Sequence, residues 1–128
     1  MIRRAIASVM FVAVLFAATQ ARAHHSNVAF EVTKIITITG VVKEFQWVNP
    51  HTFVYVMVDD GKGGRVEWVA EGRAPGVLRR AGWSPSSIKE GETITIDMSP
   101  AKDGTRTGLI ARVTKSDGTI LGNQPAAQ

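Results

Sequence analysis

The sequence predicts an all-β domain with one short helix, a small five-stranded barrel of the OB type in the order β-β-β-α-β-β. Three observations predict it. From Val32 onward β-branched residues dominate, in runs punctuated by Asn-Pro, Asp-Gly and Gly-Gly turn signals. One segment breaks that pattern, with Pro75 where a first helical residue belongs and Gly82 where a helix ends. The first run is long and carries Gly40 inside it, and an isolated glycine in a strand marks a bulge or a sharp bend. A long bent first strand and a helix between strands three and four suit an OB barrel. A β-sandwich wants about seven strands, and an open β-roll is the remaining competitor.

The elements follow in order. Thr33 to Val48 is the first strand, and Asn49-Pro50 is a turn. Thr52 to Asp59 is the second strand, and Asp60 to Gly64 forms a loose hairpin loop to the third, Arg65 to Glu71. Val77 to Ala81 makes about two turns of helix, after which Trp83 folds back on Leu78. Glu92 to Met98 is the fourth strand. Asp103-Gly104 turns into the fifth, Thr107 to Lys115, which ends at the Asp117-Gly118 turn. The barrel domain is thus 32–121, with a lead-in at 24–31 and a polar tail at 122–128 that is expected to be disordered.

Pairing Asp59 with Arg65 sets the register of the central hairpin. Phe53 then stands opposite Glu71, and His51 opposite Arg73. One face carries Val54, Val56, Val58, Val66 and Trp68 and belongs to the core. The other carries His51, Phe53, Tyr55, Met57, Arg65, Glu67, Val69 and Glu71. In OB folds the face around strands two and three commonly binds ligands, so Phe53, Tyr55, Met57 and Glu67 are candidate ligand contacts. The plainer reading of the same face is a solvated sheet surface with ordinary cross-strand pairs.

The first 23 residues read as a secretory signal peptide. Arg3 and Arg4 precede an apolar stretch from Ala5 to Ala18, and Ala21 and Ala23 form an A-x-A cleavage site. The apolar run is shorter than the ~20 residues of a spanning helix, so no stable membrane anchor is expected after cleavage. The implied location is the bacterial periplasm or the exterior. Removing 23 of the 128 residues leaves 105, a length for one small domain. It also removes Arg3, Arg4 and Arg22 from a chain with 15 basic and 11 acidic residues, leaving 12 against 11. With almost no net charge left, nucleic acid is not an expected partner. The chain has no cysteine, so packed apolar side chains alone must hold the fold.

The chain has three histidines, and two of them, His24 and His25, open the mature protein. Cleavage after Ala23 gives His24 a free α-amine beside its imidazole, a pair that can chelate one Cu(II). A further imidazole, from His25 or His51, would complete the nitrogen set known as a histidine brace. Imidazole suits copper and zinc, and copper heads the affinity order. Glu71, diagonal to His51 on the same face, could ligate or orient the imidazole; it could equally pair with Arg73 or Arg65. The contrary reading is a fortuitous His-His terminus and a turn-capping His51. Distance also stands against the set, because about 16 residues of straight strand would carry His51 roughly 50 Å from the N-terminus. Only a strong bend, or a lead-in that doubles back, removes that objection.

Catalytic chemistry has little support. No cysteine nucleophile exists and no serine lies in a nucleophile motif. Glu67 and Glu71 stand roughly 13 Å apart along one strand, beyond the spacing of glycosidase carboxylates. Trp47, Trp68 and Trp83 are better explained as core.

A set of motifs runs along the chain: Ala23-His24-His25-Ser26, Ile38-Thr39-Gly40-Val41-Val42, Trp47-Val48-Asn49-Pro50-His51, Trp68 with Glu71, Gly82-Trp83, and Pro100-Ala101-Lys102-Asp103-Gly104. Together they resemble a family of small secreted bacterial proteins of unknown function, across nearly all of residues 23–121. The resemblance implies an exported small β-barrel and brings no activity with it. The sequence therefore points to a non-enzymatic exported binding module. Its metal is copper before zinc, held by His24 and His25 with His51 and Glu71. The alternative is a structural or interaction module that uses the Phe53/Tyr55/Met57 face for a protein or small ligand. A copper oxidase-like enzyme on the same brace comes third.

Overall fold

Among the described residues, runs of β-branched residues set six strands, with one helix after the third: β1 (Ile36–Gln46), β2 (Phe53–Asp59), β3 (Arg65–Glu71), α1 (Pro75–Arg80), β4 (Thr93–Pro100), β5 (Thr107–Lys115) and β6 (Ile120–Gly122). The computed structural model describes residues 29–123. The hydrogen-bonded order is β3-β2-β1-β4-β5-β6, and a parallel pairing of β3 with β5 closes the first five strands into a ring. That pairing excludes the open roll. The closed five-strand barrel with a helix between β3 and β4 is the architecture the sequence predicts.

The hairpin register is also as expected: Asp59 faces Arg65 and Phe53 faces Glu71. Val54, Val56 and Ala70 are fully buried, while Val58 and Trp68 pack against the core from partly buried positions. Ile94, Ile96, Met98, Ile110 and Val113 fill the opposite wall. Each such side chain contributes roughly 1.5–3 kcal/mol through burial.

β1 serves two neighbours. It pairs with β4 through Ile36–Val41 and with β2 through Val41–Gln46. Of the bulge or sharp bend expected at Gly40, the bulge lies further on, between Val42 and Glu44, where Lys43 is the extra residue. Gly40 has a different task. A Cβ there would collide with the Met57 carbonyl oxygen and stand 2.7 Å from Val56 Cγ1. Glycine lets β1 and β2 come together where β1 changes partner.

The helix ends in a Schellman motif. Gly82 (φ 90°) donates to the Arg79 carbonyl at 3.1 Å, and Trp83 donates to the Leu78 carbonyl at 2.9 Å. Both Leu78 and Trp83 are buried in the core, so the expected fold-back is realised. Trp83 also explains β6, which lies outside the ring and was not legible in the sequence. Its indole Nε1 donates to the Gly122 carbonyl at 2.7 Å, so Gly122 belongs to a strand and not to the tail.

The lead-in is anchored at the end of β4. Phe30 is buried and bridges Ala101, Glu31 N donates to the Pro100 carbonyl at 2.8 Å, and Lys102 N donates to the Ala29 carbonyl at 2.9 Å. Among the described residues no helix is long and apolar enough to cross a membrane.

Candidate functional site

The site is built from the turn before β2 and the end of β3. Thr52 continues the inward alternation of Val54 and Val56 and is fully buried. Its backbone and hydroxyl fasten the two segments together. Thr52 N donates to the Arg73 carbonyl at 3.2 Å, Thr52 Oγ1 to the same oxygen at 3.0 Å, and Gly72 N to the Thr52 carbonyl at 2.8 Å. A Cβ at Gly72 would strike the Thr52 hydroxyl. The regular ladder therefore stops at Phe53–Glu71. The expected facing of His51 and Arg73 gives way to Thr52 gripping the Gly72–Arg73 backbone, with His51 and Arg73 rooted on either side.

His51 and Glu71 come together across this clasp, with Nδ1 3.5 Å from Glu71 Oε1. Neither Arg65 nor Arg73 pairs with Glu71. The carboxylate is 16% exposed and the imidazole 37%. Burial pushes the Glu71 carboxyl above its usual value, and the charge of His51 pulls the other way. At 3.5 Å the contact is an ion-pair approach and not a tight hydrogen bond. Among the described residues the imidazole Nε2 has no hydrogen-bond partner.

Beside the pair lies a hollow of about 340 Å³ walled by Pro50, His51, Arg73, Ala74, Val77 and Leu109. A second hollow, bordered by Val32, Ile35, Ser99 and Asn123, shares the walls formed by Arg73 and Leu109. Arg73 thus stands between two concavities. Thr52 and Arg73 were not singled out in the sequence. The signal for Thr52 was present, since the period-2 alternation that buries Val54 and Val56 also buries residue 52.

On β2 the expected alternation holds, with Phe53, Tyr55 and Met57 half-buried on the outer face; on β3 it does not, because Arg65 is exposed and Val66, Glu67, Trp68 and Val69 are all half-buried. Glu67 is taken by Lys43, the bulge residue of β1, at 2.5 Å. That carboxylate holds the Lys43 ammonium above the usual lysine value. His24, His25, Ala21 and Ala23 lie outside the described residues. Among the described residues no group of three or more His, Asp or Glu converges on one point.

The chain belongs to a family of unknown function, DUF6152, whose sequence profile matches residues 12–112. No curated protein matches it.

Proposed function

We propose that this member of the family is an exported, non-enzymatic metal-binding module. Cleavage after Ala23 frees the His24 α-amine. That amine, the His24 imidazole and His25 bind copper in preference to zinc. His51 adds a nitrogen through Nε2, and Glu71 orients the ring through Nδ1.

One observation supports this reading above the rest: the closed barrel joins Ala29–Glu31, the described end of the lead-in, to the wall that carries the His51–Glu71 pair. Glu31 bonds to Pro100, Pro100 pairs with Gly108, and Gly108 pairs with Ala70, next to Glu71. Three inter-strand steps of about 4.8 Å separate the lead-in from β3, roughly 14 Å around the wall. The chain from His24 to Phe30 can span about 20 Å when extended. That reach supports a link to His51 that a straight first strand would forbid.

The test uses the exported protein, its first residue fixed by mass spectrometry, titrated with Cu(II) under EPR. We expect one equivalent bound with nitrogen hyperfine structure, and at least ten-fold weaker binding in His51→Ala. Equal binding by wild type and a His24→Ala, His25→Ala variant removes the metal reading. The alternative is an interaction module on the Phe53/Tyr55/Met57 face, favoured by the partial exposure of all three side chains. It predicts a partner lost in Tyr55→Ser and kept in the double histidine variant.

A further inference from the structure

The hollow beside His51 has a chemistry that the metal reading does not use. Arg73 is exposed and has no carboxylate within ion-pair distance among the described residues. Its carbonyl is held twice by the buried Thr52, which fixes the root of the side chain. The guanidinium is thereby kept within reach of the hollow, where it can form a forked pair with a planar anion. The walls around it are largely apolar: Pro50, Ala74, Val77 and Leu109. His51 closes one side with a free Nε2. The one nearby carboxylate, Glu71, is directed to His51 Nδ1 and does not line the hollow.

About 340 Å³ is at the low end of small-molecule sites and has ample room for a carboxylate with a short apolar stem. We infer that this hollow is a binding site for a small monocarboxylate. Arg73 takes the carboxylate in a forked pair, His51 walls one side, and Pro50, Ala74, Val77 and Leu109 cover the stem. The site does not require a metal, and its test is run on chelator-treated protein, so its failure leaves the metal proposal standing.

The probe is sodium butyrate, titrated into the ¹⁵N-labelled protein and followed by backbone NMR shifts. We expect saturable shifts at residues 51, 72–74, 77 and 109, and at least ten-fold weaker binding in Arg73→Gln. Arg79→Gln, on the exposed side of α1, keeps wild-type binding. Butyramide, of the same shape without the charge, binds at least ten-fold more weakly than butyrate. N-acetyl-Ala-Ala distinguishes the source of the carboxylate: tighter binding than butyrate assigns the site to a peptide C-terminus, and weaker binding to a free acid. Non-saturating shifts, equal binding by butyramide, or full binding by Arg73→Gln overturns the inference.

Discussion

Gly40→Ala tests the barrel geometry at its most demanding point. The φ of Gly40 is not among the positive ones, so alanine fits the backbone conformation and only space forbids it. The added methyl would overlap the Met57 carbonyl oxygen and come within 2.7 Å of Val56 Cγ1. The carbonyl belongs to a paired strand and Val56 is fully buried, so neither can yield cheaply. Overpacking of this kind costs about 1–3 kcal/mol. The loss of glycine's freedom in the unfolded chain offsets about 0.4–1 kcal/mol of that. A net loss of about 1–2 kcal/mol is expected. At about 4–8 °C per kcal/mol for a domain of this size, the melting temperature drops by roughly 5–15 °C. Gly76→Ala is the control. It lies in α1 with nothing within 4 Å of its added methyl, and alanine there should stabilise by up to ~1 kcal/mol. The assay is thermal and urea unfolding followed by circular dichroism. A Gly40→Ala protein within 0.5 kcal/mol of wild type, roughly the scatter of neutral substitutions, refutes the close-approach argument for β1.

Two further outcomes follow from the site. Thr52→Val removes the hydroxyl donated to the Arg73 carbonyl and is expected to cost about 1 kcal/mol in urea unfolding; an unchanged midpoint would show that the backbone bond from Thr52 N suffices. Glu71 has a folded-state pKa raised above its ordinary 4.5 by burial. Between those two values the folded protein holds a proton that the unfolded chain has released, so this group's contribution to stability falls as pH rises through that window. Glu71→Gln should therefore gain stability relative to wild type as pH rises from 4 to 7. A relative loss over that interval would mean that attraction to His51 outweighs burial.

The fold was legible because its signals are local and repeated. Arg65–Glu71 and Thr107–Lys115 have the bounds the alternation predicts, and Pro75 and Gly82 bracket the helix by backbone chemistry alone. Where sequence reading missed, the determinant was a contact between distant residues. The bulge fell at Lys43 and not Gly40 because the partner strand decides which residue is extra. β6 is only three residues long, and its anchor is an indole 39 positions earlier in the chain. Neither can be read from a window of neighbouring residues.

The site shows the same division more sharply. His51 and Glu71 could be named from the sequence because the hairpin register, a two-strand property, puts them side by side. Arg73 could be placed opposite His51 by the same register but not named as a ligand contact, because that role comes from the Thr52 clasp and from Leu109 on β5, a strand that reaches the site only through the β3–β5 closure. The same closure decides the distance that stood against a link between the N-terminus and His51. Measured along β1, the two are far apart. Measured around the ring, Glu31 and Ala70 are three strand spacings apart, through Pro100 and Gly108. The parallel β3–β5 pairing, through three residue pairs from Val69 to Glu71, is thus what both proposals depend on. A substitution that opens it, such as Gly108→Val against Met98 and the Ser99 carbonyl, should weaken copper and butyrate binding together, although Gly108 lines neither hollow. Loss of one with retention of the other would show that the two ligands do not share this wall.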